Sequence, residues 1–149
     1  MKFSDYMKKY QLEDRNPYAV EINDKIKIYD YVRTRIGAAE TSELFAHRLY
    51  AGYDIKKCMA AIEKPCVVRL NNAWHKMKIL LTCDDTITAA ELAAWQAIKW
   101  VSSEWAYKQI RPGFTVERIL PLRHNLFKLF VFRGRVHYVW QQVYTARPV

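Results

Sequence analysis

Cysteine is scarce and badly spaced for chemistry. Cys58, Cys66 and Cys83 form an odd set with no C-x-x-C pair, which excludes a disulfide framework and a zinc knuckle. All three lie in apolar contexts that predict buried thiols. No apolar run is long enough to span a bilayer, and Met1-Lys-Phe-Ser-Asp5 lacks the apolar block of a signal peptide, so a cytoplasmic protein is expected. Internal repeats, low-complexity tracts and long linkers are absent too, so residues 1–149 are expected to form a single domain. His47, His75, His124 and His137 show no ligand spacing with one another or with a carboxylate pair, which predicts scattered histidines. Acidic residues are the minority, 15 against 24 Lys and Arg, for a net charge of +9. A field of that sign attracts nucleotide phosphates, nucleic acid or an acidic protein surface.

What is present is a half-hydrophobic, aromatic-rich globular composition. Phe3, Tyr6, Met7 and Tyr10 recur at helical spacing before Asn16-Pro17 interrupts them. Asp24 is placed to cap a helix over 25–36, with Ile26, Tyr29, Val32 and Ile36 on one face and Gly37 as its exit. Residues 45–50 alternate like a strand, and 55–62 read as a short helix. Cys66 to Leu70 is a compact apolar run between Pro65 and Asn71-Asn72, hence a buried strand, and 76–82 reads as another. Asp84-Asp85 marks a turn. The capping box Thr88-Ala-Ala-Glu91 opens what reads as the longest helix, to about Lys108, with Ala94, Ile98, Val101 and Trp105 as its buried stripe. Strands are expected over 114–120, 126–132 and 136–143, the last two joined as a hairpin by Arg133-Gly134. Helices at the front and strands at the back predict an α+β fold.

Five segments in order carry a family resemblance: Asp24-Lys25, the Val67-Val68-Arg69 strand with Asn71, Glu104-Trp105-Ala106-Tyr107-Lys108, Arg111-Pro112 with Glu117-Arg118-Ile119-Leu120, and the hairpin containing Phe127-Lys128 and Gly134. Together they resemble the TupA-like branch of the ATP-grasp superfamily. The resemblance implies an ATP-grasp-like nucleotide-binding core and ATP as ligand. Arg69, Asn71 and Lys128 would then lie on the phosphate side, and Glu117, Arg118, Ile119 and Leu120 would form the adenine-facing hinge. An arginine can hold phosphate bidentately in place of the family's lysine. The alternative for Arg69 is a strand-end cation in solvent, for Asn71-Asn72 a plain turn, and for Lys128 an outward-facing residue.

The departures from that pattern concern the phosphates and the metal. The family's glycine-rich loop becomes Asn72-Ala73-Trp74-His75, although glycine is what allows close backbone approach to phosphate. An arginine of the first helix falls at Tyr29. An acid before the final lysine-bearing strand falls at Leu126, and the magnesium-binding acid after the last hairpin falls near Gln142, a poor ligand for a cation that prefers carboxylate. Family members also continue past the position of Val149. The resemblance therefore implies a shortened, non-catalytic relative of ATP-dependent carboxylate–amine ligases, acting as a nucleotide-binding or interaction module. A second reading uses Arg111, Arg123, Arg133 and Arg135, interleaved with Tyr138 and Trp140, as a surface for nucleic acid or an acidic protein.

Overall fold

The computed structural model describes residues 15–73, 76–98, 104–119, 126–132 and 135–142, with isolated positions before residue 15. The chain divides into two compact units, Met1–Ile119 and Leu120–Val149. The first is α+β, as expected. Three short helices lead it: α1 (Pro17–Asn23), α2 (Ile28–Ile36) and α3 (Ala38–Leu44). Then come β1 (Arg48–Gly52), α4 (Ile55–Ala60), β2 (Cys66–Leu70), β3 (Met77–Leu80), α5 (Ala89–Gln96), α6 (Trp105–Gln109) and β4 (Phe114–Arg118). The strands form one antiparallel sheet in the order β1-β4-β2-β3.

Local chemistry sets most element ends. Asn16-Pro17 opens a helix: the Asn16 carboxamide accepts from Tyr18 N–H, and proline sits in the first turn, where its missing N–H costs nothing. Asp24 caps a tight turn, accepting from Ile26 N–H, so α2 begins at Ile28 rather than at Lys25. Gly37 leaves α2 with φ 97°, a conformation that favours glycine, and leads directly into α3, a helix that strand-like and helical periodicity both missed. The repeat at Phe3, Tyr6, Met7 and Tyr10 lies outside the described residues.

The long helix expected to reach Lys108 is corrected. The Thr88–Glu91 capping box is present, with Glu91 N–H donating to Thr88 Oγ1 and Thr88 N–H to Glu91 Oε2. The helix nevertheless ends at Gln96, whose side-chain amide donates to the carbonyls of Tyr53 and Pro112. β-branched Ile98 and Val101 and the Ser102-Ser103 pair, poor helix formers, follow in sequence. A separate helix starts at Trp105. The buried stripe shifts accordingly: Leu92 is fully buried and Trp95 packs on the core, whereas Ala94 is exposed.

Strand alternation gives the sheet two unlike faces. One carries Cys66, Val68, Leu70, Leu80, Phe114 and Val116, sealed by Cys58 of α4 and Leu92 of α5. The other carries Arg48 of β1, Thr115 and Glu117 of β4, Val67 and Arg69 of β2, and Met77 and Ile79 of β3, as the register requires.

The thiols separate in the same way. Cys58 and Cys66 are buried, and burial pushes the Cys58 thiol up to about 11. Cys83 is exposed, which corrects the expectation of three buried thiols; it belongs to the turn in which Asp85 accepts from the Leu81 and Thr82 amides. At about pH 8 one thiol of the native protein should react quickly with a disulfide reagent, and Cys58 and Cys66 should react only on unfolding. Fast reaction of all three would contradict the packing around β2.

The second unit contains β5 (Leu126–Phe132) and β6 (Arg135–Gln142), an antiparallel pair that realises the expected hairpin. Its register pairs Leu126 with Gln142, Lys128 with Trp140 and Phe130 with Tyr138, with an irregularity after Phe130.

Candidate functional site

The non-core face of the four-stranded sheet gathers charge. Glu117 lies between two arginines: Arg48 Nη2 is 3.8 Å from Glu117 Oε1, and Arg69 Nη1 is 3.4 Å from Oε2. The Arg48 and Glu117 side chains are each 11% exposed and Arg69 is 41% exposed, so the cluster is deep at β1 and open at β2. The Arg48 guanidinium also stacks on the Phe45 ring, 4.4 Å from its centroid, and Phe45 packs edge-on against Tyr29. Burial lowers the Arg48 pKa, with Glu117 acting in the opposite direction, and a guanidinium stays charged regardless.

Several polar atoms on this face are buried without a hydrogen-bond partner among the described residues: Arg48 Nε and Nη1, Arg69 Nε and Thr115 Oγ1. Buried polar groups in native proteins are almost always satisfied, so donors left open on three adjacent strands mark a place suited to acceptor oxygens. Lys25, Arg48 and Arg69 face Asp24 and Glu117 here, three cations to two carboxylates, which leaves one positive charge over.

A buried polar strut holds the floor of this region. Asn71 is fully buried; its amide donates to Asp24 Oδ1 at 2.8 Å and to the Arg111 carbonyl at 3.0 Å, and its oxygen accepts from Gly113 N–H at 2.7 Å. Lys25 completes the strut by donating to the carbonyls of Asn71 (2.9 Å), Leu70 (3.4 Å) and Ala73 (3.4 Å), which fixes the chain as it leaves β2. Desolvation, and then the nearby Arg69 charge, lower the Lys25 pKa. Gly113 is required: a Cβ there would meet Gly52 O, Ile26 Cδ1 and Tyr53 Cδ1, each at 2.7 Å. The Asp24-Lys25 pair, Asn71 and Gly113 thus act as one unit, although they are spread over the sequence.

The residues singled out from sequence are only partly brought together. Arg69 and Glu117 meet directly. Asn71 lies below them with its side chain committed within the protein, and Asn72 donates to the Ile110 carbonyl. Arg118 points to the other side of β4 and pairs with Glu63 at 2.9 Å. The Ile119 N–H donates to the Pro65 carbonyl, so this hinge donor is already taken. Lys128 belongs to β5 in the second unit, opposite Trp140 in register. Arg111 is exposed and lies over the Tyr53 ring at 4.5 Å, and Arg135 is exposed at the start of β6. Leu120, Arg123 and Arg133 lie outside the described residues. Arg111 thus belongs to the first unit and Arg135 to the second.

Sequence reasoning missed Arg48 and the role of Lys25. The signal for Arg48 was a basic residue inside the alternating run 45–50, but its partnership with Glu117 exists only because β1 pairs with a strand distant in sequence. For the metal, the resemblance would place an acid near Gln142, which pairs with Leu126 in the hairpin register and offers no carboxylate. Among the described residues, no group of three His, Cys, Asp or Glu side chains could hold a metal ion, and no helix is long and apolar enough to cross a membrane. No family model, curated protein or solved structure matches this chain.

Proposed function

We propose that this chain is an ATP-grasp-like nucleotide-binding module that holds a nucleotide through its phosphates and does not transfer them. The observation that carries the reading is the set of open, buried donors on Arg48 and Arg69 around Glu117. Guanidinium N–H groups donate to phosphate oxygens in charge-assisted pairs, and the fork geometry suits two oxygens at once. Their ion pairs with Glu117 are long, 3.8 and 3.4 Å, so a phosphate can take up donors without breaking a short hydrogen bond. The cation missing at Tyr29 is replaced in this reading from the strand: Arg48 stacks on the ring that Tyr29 packs against.

Binding without turnover follows from the donor set. Phosphoryl transfer needs a metal to draw off the developing charge, and Gln142 cannot hold magnesium as a carboxylate would. Because the Ile119 N–H is already bonded to Pro65, the base contributes little and the phosphates supply most of the affinity.

A thermal-shift experiment tests this. At ten times its Kd, a ligand stabilises the fold by about 1.4 kcal/mol, or about 4 °C in Tm for a domain of this size. ATP without magnesium should produce that shift, and tripolyphosphate should match it. Arg48→Ala/Arg69→Ala should abolish both responses. A shift that needs magnesium, or one that survives the double substitution, would refute the proposal.

A further inference from the structure

The second unit carries a different signature. Between residues 120 and 149 the sequence has Arg123, Lys128, Arg133, Arg135 and Arg147 and no Asp or Glu, so this short stretch supplies five of the net nine positive charges. Aromatic residues recur through the same stretch. On β6, Tyr138 and Trp140 fall two apart and so share one face of the ribbon, 62% and 45% exposed. Arg135 is exposed at the start of the same strand. The register sets Lys128 opposite Trp140 and Phe130 opposite Tyr138.

We infer that this face of the β5–β6 hairpin is a binding surface for single-stranded nucleic acid. Rings two residues apart on a strand stand roughly 6.8 Å from one another, a step that successive bases of an extended single strand can follow. Stacking on a ring needs no particular base, because every base offers a π-face, and the flanking cations follow the phosphate backbone. An acidic peptide would satisfy the charge but has nothing to stack on exposed tyrosine and tryptophan. A duplex hides the faces of its bases. Single-stranded nucleic acid uses both features, so it is the occupant that the chemistry favours. The inference does not depend on nucleotide binding by the four-stranded sheet.

The test is fluorescence anisotropy of the full chain with a labelled oligouridylate of about 12 nucleotides, within the usual length of a single-strand site. Trp140→Ala and Tyr138→Ala should each weaken binding about tenfold with no change in salt dependence, as loss of stacking requires. Trp140→Phe, which keeps a ring, should stay within about threefold of wild type. Arg135→Ala should lower the slope of log K against log salt by about 0.7, the signature of one lost phosphate contact on a single strand. The inference is overturned if Trp140→Phe loses as much as Trp140→Ala. It is also overturned if polyglutamate or anionic phosphatidylserine vesicles compete as well as the oligonucleotide. Oligonucleotide binding that survives Trp140→Ala and disappears in Arg48→Ala/Arg69→Ala would assign the polyanion to the four-stranded sheet instead.

Discussion

Glu117→Gln should destabilise the protein by about 3 kcal/mol in a non-coordinating buffer, because it leaves the buried Arg48 and the part-exposed Arg69 without their shared carboxylate. The change is nearly isosteric, so packing around β4 is kept and the loss is electrostatic. A pair buried throughout would cost up to about 5 kcal/mol when broken; the part-exposed Arg69 lowers the expectation, since solvent screens its share. The informative part is the recovery. If the sheet face accepts anions, tripolyphosphate takes the place of the missing carboxylate, and the variant gains more from it than wild type does. Urea unfolding in chloride and in tripolyphosphate measures both quantities. A variant as stable as wild type, or one that anions cannot restore, would mean that the arginines are held for packing alone.

Asn71→Ala should cost about 4 kcal/mol. Three groups lose a hydrogen bond at once: the Asp24 carboxylate, which keeps the Ile26 N–H, the Arg111 carbonyl and the Gly113 N–H. Each unsatisfied buried group costs about 1–3 kcal/mol, and a charged one more. Both side chains are shut away from bulk solvent, Asp24 being 1% exposed and Asn71 fully buried. The loss should be accompanied by faster amide exchange at Gly113, because its N–H bond to Asn71 is removed. Equilibrium unfolding together with exchange at that amide decides the matter: a cost below about 1 kcal/mol with unchanged exchange would show that Asn71 is an ordinary turn residue.

These two side chains show what a sequence can and cannot reveal. Asn71-Asn72 ends a strand and does form a turn, so local chemistry reads correctly. That Asn71 reaches Asp24 and Gly113, more than forty positions away on either side, depends on tertiary pairing that no local pattern encodes. The β2 and β4 strands, the Thr88 cap, the Gly37 exit and the final hairpin were all legible because their signals lie within a few residues. The overlong helix arose from the spacing of Ala94, Ile98, Val101 and Trp105, which keeps helical phase past Gln96 although the backbone does not continue. Arg48 was hidden for a different reason. Its strand reads plainly, but strand order β1-β4-β2-β3 brings it beside Glu117 and Arg69.

The most direct test of the phosphate-binding face is NMR of the arginine Nε–Hε groups during titration with ATP in the absence of magnesium. Each such group reports its own hydrogen-bond partner, and Arg48 Nε and Arg69 Nε are among the open donors on the face. Both resonances should move together and saturate at one Kd, while Arg118, bonded to Glu63 on the opposite side of β4, should not respond. Movement of neither Arg48 nor Arg69 at millimolar ATP, or movement confined to arginines of the hairpin unit, would contradict the account.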